Sequence, residues 1–148
     1  MHHIHALWKE LVPGISEQYA YAKPVAEITF QALPAPPRNG TSPNSLGFSP
    51  DETPEKDLIF LQIIFTFEDA AATEGFEEAL KDLVDLIEGL AKEEGVYHRY
   101  KYLNFAASFQ DPLASYGNEE LVKLRGVARR YDPAGVFQTQ VPGGFKLF

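Results

Sequence analysis

The chain has 148 residues, the size of one domain with its own core, and 13 Lys and Arg against 21 Asp and Glu leave a formal charge of −8 that repels phosphate backbones. With 45% hydrophobic and 23% charged residues the composition is that of a folded globular domain, and zero cysteines remove disulfides, thiolate catalysis and cysteine-held metal centres. No apolar run approaches the ~20 residues of a membrane-spanning helix and Met1-His2-His3-Ile4-His5 lacks a signal peptide's apolar stretch, so a soluble, cytoplasmic protein with no nucleic-acid or membrane partner is expected.

Ile4, Leu7, Trp8, Leu11 and Val12 fall at helical spacing, and Pro13-Gly14 is expected to stop this helix or restart it as a short turn before Tyr19. Val25 to Leu33 reads as a strand, with Val25, Glu27, Thr29 and Gln31 on one face and Ala26, Ile28, Phe30 and Ala32 on the other. Pro34 to Asp57 is dense in Pro, Gly, Asn and Ser and reads as a long loop. Leu58 to Phe67 is a second strand, with Ile59, Leu61, Ile63, Phe65 and Phe67 facing the core and Phe60, Gln62, Ile64 and Thr66 opposite. Thr73 is placed to cap a helix to Glu94, whose stripe Phe76, Leu80, Leu83, Val84, Ile87, Leu90 repeats at three and four residues before Gly95 ends it; its acidic side reads as a solvated face. Tyr97 to Ala106 reads as a third strand, with His98, Tyr100, Tyr102 and Asn104 on one side and Phe105 on the other. Asn118 is placed to cap a last helix, which Asp132-Pro133 stops.

Helix, strand, strand, helix, strand, helix predicts a single α+β domain over 1–148: a small antiparallel or mixed sheet with helices packed on one face, a ferredoxin-like half. The expected core is Ile28, Phe30, Ile59, Leu61, Ile63, Phe65, Leu80, Leu83, Val84, Ile87, Leu124 and Val127. Parity then carries Glu27, Gln31, Gln62, His98, Tyr100, Tyr102 and Asn104 to the opposite face as one semi-polar pocket. Glu27, His98, Tyr102 and Asn104 are the catalytic candidates. Glu27 or His98 would move a proton, while Tyr102 and Asn104, with Gln31 and Gln62, would hydrogen-bond substrate oxygens; Phe60, Tyr100 and Phe105 would supply apolar walls. Each also has a structural reading: Glu27 an exposed charge guarding an edge, His98 an exposed or bonded ring, Tyr102 a packed strand aromatic, Asn104 a turn residue. A face of this kind predicts a small-molecule substrate and a homodimer that covers the surface. His2, His3 and His5 read as an appended or frayed end, with no metal site expected.

In chain order the sequence holds Tyr102-Leu103-Asn104-Phe105, Gln110-Asp111-Pro112, Ser115-Tyr116-Gly117, Tyr131-Asp132-Pro133, Gly135-Val136-Phe137-Gln138 and Val141-Pro142-Gly143-Gly144-Phe145. This series, with Asn44-Ser45-Leu46-Gly47 and the strand from Leu58 and its helix upstream, resembles the C-terminal, substrate-domain part of berberine-bridge-enzyme-like FAD-linked oxidoreductases, in the branch common in fungal secondary metabolism. The resemblance implies a flavin held by a separate N-terminal domain with glycine-rich phosphate turns, and no such turn occurs in this sequence. It also implies a second tyrosine after the asparagine, a proposed substrate base in several members; Phe105 stands there, and a phenyl ring takes no proton. Three functions follow. The favoured one is a stand-alone, cofactor-free protein that binds an apolar secondary metabolite and promotes a non-redox cyclisation or isomerisation. The others are a fragment or subunit of an FAD-dependent oxidoreductase that meets FAD only through a flavin-domain partner, and a non-catalytic binding protein.

Overall fold

Apolar side chains at helical spacing make His2–Gln18 one helix, α1, in the computed structural model, which describes residues 2–36, 46 and 57–148. After a 3-10 turn at Ala20–Ala22 come β1 (Val25–Leu33), β2 (Leu58–Thr66), a 3-10 turn at Ala70–Ala72, α2 (Thr73–Glu93), a 3-10 turn at Leu103–Phe105, α3 (Pro112–Ser115), α4 (Asn118–Tyr131) and α5 (Val136–Thr139). The class is α+β, as expected, with β1 and β2 forming a two-stranded antiparallel sheet among the described residues. Ala35 N–H donates to Asp57 Oδ1 at 3.1 Å, which ties together the two ends of the Pro34–Asp57 excursion. Most of that expected loop, including Asn44, Ser45 and Gly47 of its motif, lies outside the described residues.

The chain divides into two compact units, Met1–Gln31 with Ile59–His98, and Ala32–Leu58 with Arg99–Phe148. In the first unit Val12, Leu83 and Ile87 are buried together, with Ile4, Leu7, Trp8 and Leu11 of α1 and Ala26, Leu61, Ile63 and Phe65 of the sheet packed around them. Both helices therefore lie on one sheet face, the side that the alternation of β1 and β2 marks as apolar. A second cluster centres on Phe76, whose ring meets Tyr19 at 4.8 Å, Phe65 at 5.2 Å and Phe67 at 4.6 Å. Gly75 makes the Tyr19 approach possible, because a methyl there would fall 2.6 Å from Tyr19 Cε1. At the far end of α2, Gly95 takes φ +67 and the N–H groups of Gly95 and Val96 reach back to the carbonyls of Lys92 and Ala91, closing the helix as its glycine predicts.

Four expectations are corrected. Helix α1 runs through Pro13 instead of breaking there. The proline deletes one hydrogen bond, to the Lys9 carbonyl, but both residues are exposed, so water serves that carbonyl while Val12 and Ile15 pack on either side. Pro13→Ala is accordingly expected to stabilise the first unit by about 1–3 kcal/mol in chemical denaturation; an unchanged midpoint would show that the helix carries no strain there. Thr73 and Asn118 are not the caps: Ala72 and Gly117 precede their helices, while Asp69 caps the 3-10 turn by accepting from Ala71 N–H at 2.9 Å. Ile59 and Val127 leave the predicted core, being 49% and 54% exposed near element ends. The stretch Tyr97 to Ala106 is no strand: Tyr102 and Ala106 are extended, yet the sheet of the described residues holds β1 and β2 alone and the chain folds into the turn at Leu103–Phe105.

Among the described residues both buried apolar clusters lie in the first unit, and polar ties link the segments of the second. Asp132 accepts from the N–H groups of Val136 at 2.7 Å and Phe137 at 3.0 Å, which starts α5, and Gly135 takes φ +66 to allow the reversal. Lys146 Nζ donates to the carbonyls of Phe137 and Val141, and Gln138 Oε1 accepts from Leu147 N–H, so the segment after Gly143 and Gly144 is pinned back. The Tyr131-Asp132-Pro133, Gly135-Val136-Phe137-Gln138 and Val141-Pro142-Gly143-Gly144 motifs are thereby explained as architecture. Glu120, in the first turn of α4, is buried with Oε1 2.5 Å from Lys123 Nζ.

Candidate functional site

Asp111-Pro112 starts a one-turn helix: the carboxylate accepts from Ala114 N–H at 2.9 Å, and proline fits the first helical position, where no N–H is needed. That turn delivers Ser115 and Tyr116 to the interior, 8% and 2% exposed. The Ser115 hydroxyl donates to the Pro112 carbonyl at 2.6 Å and accepts from Lys101 N–H at 3.1 Å. One residue on, the Tyr116 ring stacks on Tyr100 with centroids 5.9 Å apart and planes 20° from parallel. The Tyr116 carbonyl accepts from Arg99 Nη2 at 3.3 Å, and Gly117 follows at φ +99, where a Cβ would sit 2.9 Å from that nitrogen. Three consecutive residues, Arg99, Tyr100 and Lys101, are thus docked on three others, Ser115, Tyr116 and Gly117.

Directly beyond this dock the chain turns. Phe105 N–H donates to the Tyr102 carbonyl at 3.1 Å, and within the turn Asn104 Nδ2 donates to Tyr102 Oη at 3.2 Å. The Phe105 ring meets Tyr102 edge-on at 5.4 Å. Tyr102 is 38% and Phe105 56% exposed, and the phenol and amide are hydrogen-bonded to each other. An amide donating to a phenol oxygen draws charge from it and makes its own O–H the stronger donor, which suits contact with a carbonyl or developing oxyanion. Burial, and next the charge that Tyr102 would carry, push the Tyr100 hydroxyl above the ordinary tyrosine range; burial, then Tyr100 and Tyr102, do the same to Tyr116. These tyrosines remain protonated donors at neutral pH.

The remaining candidates lie in the first unit. Glu27 and Gln31 are exposed on β1. Phe60 and Gln62 are half-buried on the β2 face turned from the helices, and His98 is half-buried after α2. The third strand that was to align His98, Tyr100, Tyr102 and Asn104 with them does not form. Sequence reasoning names Ser115 only as part of a motif and gives Arg99 no role; the signal available for Ser115 was Asp111-Pro112, a helix start that places it at the end of its first turn. His3 Nδ1 pairs with Glu94 Oε1, and among the described residues no cluster of three His, Asp or Glu could hold a metal ion. None of the described helices is long and apolar enough to cross a membrane.

Compared with known proteins, the chain is 47% identical over 70 residues to an FAD-dependent monooxygenase of Cochliobolus heterostrophus, a match covering 47% of the chain and 14% of that enzyme. Against an FAD-dependent monooxygenase of Aspergillus calidoustus it is 41% identical over 91 residues, 62% of the chain and 17% of the enzyme. With one of Cercospora nicotianae the match is 33% over 130 residues, 84% of the chain and 28% of the enzyme. The chain is homologous to a segment of fungal FAD-dependent monooxygenases. It spans 14% to 28% of the length of these relatives. Neither a family model nor a solved structure matches it.

FAD is a group to be tested against the residues present. A dinucleotide's diphosphate needs glycines and open N–H groups where a strand passes into a helix. The passage from β2 into α2, Phe67 to Ala72, has no glycine and carries Glu68 and Asp69, and the Asp69 carboxylate already occupies the Ala71 N–H. This passage therefore does not fit the FAD diphosphate.

Proposed function

We propose that this chain is the substrate-facing segment of an FAD-dependent oxidoreductase of the berberine-bridge-enzyme-like type, working in secondary metabolism with a flavin held by another part of the enzyme. The observation that carries the reading is the similarity to FAD-dependent monooxygenases over up to 84% of the chain, beside a β2–α2 passage whose acids do not suit a diphosphate. The same similarity favours this reading over the cofactor-free cyclase, for which none of the relatives named above speaks. In this role Tyr102, oriented by Asn104, donates a hydrogen bond to an oxygen of an apolar aromatic substrate, and Phe105 walls the ring system. Phe105 takes no proton, so substrate deprotonation falls to a group outside this turn.

The test joins the chain to the remaining portion of the Cercospora nicotianae relative. After desalting, the chain alone mixed with FAD is expected to show no flavin absorbance, and the joined enzyme to keep it. Within the joined enzyme Tyr102→Phe is expected to lower kcat for its substrate by about 10²-fold with flavin content unchanged. Flavin retained by the chain alone, or a Tyr102→Phe enzyme as fast as its parent, would overturn the assignment.

A further inference from the structure

Helix α2 turns Leu83 and Ile87 to the core, yet its outward side is not uniformly polar. Asp82, Asp85, Leu86, Gly89, Leu90 and Glu93 line an open groove of about 560 Å³, in which Leu86, 50% exposed, and the half-buried Leu90 form an apolar strip between Asp82 and Asp85 at one end and Glu93 at the other. Helix α4 carries the opposite charge on its outward side: Val122 and Val127, 67% and 54% exposed, flank Gly126, and the exposed Arg129 and Arg130 follow in the last turn. Each face is centred on a glycine. Glycine in a helix interior weakens it relative to alanine, and apart from the helices' own backbone no atom of the described residues lies within 4 Å of where a Cβ of Gly89 or Gly126 would stand. A bare helix surface of that kind admits a second helix at close range.

We infer that the α2 groove is the docking site for α4 of a second copy of this chain. Charge decides the occupant: three carboxylates rim the groove in a chain whose formal charge is −8, so the groove repels further acids and selects a cationic apolar face, which α4 offers. Run antiparallel with Gly126 over Gly89, the two faces come into register. Arg130 lies four residues after Gly126 and Asp85 four before Gly89, each about 6 Å along its helix axis, so the guanidinium of one copy meets the carboxylate of the other while the valines cover the apolar strip. Asp85 already meets Lys81 at 3.1 Å, but both side chains are more than half exposed, and such a pair yields at little cost. The inference does not depend on the function proposed above, and its surfaces differ from the sheet face for which a homodimer is expected from the sequence.

The experiment follows the mean mass of the 148-residue chain by sedimentation velocity from about 5 to 200 µM, the range in which a contact of two helix faces is expected to form. The mass is expected to rise above 16.5 kDa with concentration and to fall back in high salt. Asp82→Lys with Asp85→Lys, and separately Arg129→Glu with Arg130→Glu, are each expected to weaken association at least about tenfold. An equal mixture of the two is expected to regain it, because one variant keeps its arginines and the other its carboxylates. Glu10→Lys with Glu17→Lys, exposed on α1 and of equal charge change, is expected to associate like the parent. Gly126→Gln decides where a charge reversal disturbs folding: glutamine is the better helix former and meets open space, so this variant is expected to melt no lower than the parent and yet to lose association. A parent that stays monomeric throughout would overturn the second copy as occupant and pass the groove to a cationic helix from another part of the enzyme. Undiminished association of a folded α2 or α4 variant, or a mixture that stays apart, would overturn the docking of these two faces.

Discussion

Leu83→Ala is expected to lower the unfolding free energy of the first unit by about 2–5 kcal/mol, read as a shifted midpoint in chemical denaturation. Leu83 is 1% exposed and sits with Val12 and Ile87 where α1, α2 and the sheet meet. Removing its isobutyl group forfeits the transfer free energy of those carbons and leaves a cavity whose walls come from three elements. A wall built by two helices and a sheet collapses poorly, which places the cost in the upper part of that range. Leu86, three residues on and 50% exposed, supplies the control, since alanine there is expected to cost under about 0.5 kcal/mol. Equal losses at the two positions would mean that the buried stripe of α2 has been assigned to the wrong face.

How far the sequence reveals this fold depends on where each element draws its stability. Strands β1 and β2 and helix α2 follow their hydrophobic period, because a repeat of two or 3.6 residues reports directly on which side is covered. Local punctuation is less reliable. Pro13 carries a strong stop signal, yet the apolar residues on both sides of it are packed and the lost hydrogen bond faces solvent. Thr73 is a good capping residue, but Asp69 starts the helical path one turn earlier. The Tyr97 to Ala106 stretch misleads for a different reason: alternation reports extension, whereas a strand also requires a neighbour, and here the Lys101 N–H goes to a serine side chain 14 residues away. Tyr102 and Asn104 are legible as polar groups on an aromatic segment, but nothing periodic joins that segment to Ser115.

The second unit is expected to be the more fragile in alkali, and Tyr116→Ala to cost it about 3–5 kcal/mol. Among the described residues both buried apolar clusters belong to the first unit, so the 2% exposed Tyr116 ring, stacked on Tyr100, is the largest buried side chain that the second unit has to lose. Tyr131→Ala, at a ring 74% exposed, is expected to change stability by less than about 0.5 kcal/mol. The pH dependence has a definite sign. Burial raises the hydroxyls of Tyr100 and Tyr116 in the folded chain, whereas an unfolded tyrosine ionises near pH ~10. Between those values the unfolded chain has released protons that the folded chain still binds, so the stabilisation is complete below about pH 10 and is lost as pH rises through the folded values. Denaturation midpoints measured from about pH 8 to 11.5 are expected to hold level and then fall, with the fall reduced in Tyr116→Phe. A wild-type midpoint that stays level across the whole range, or a phenylalanine variant that falls as steeply, would show that ionisation of this stacked pair does not govern the unit's alkaline limit.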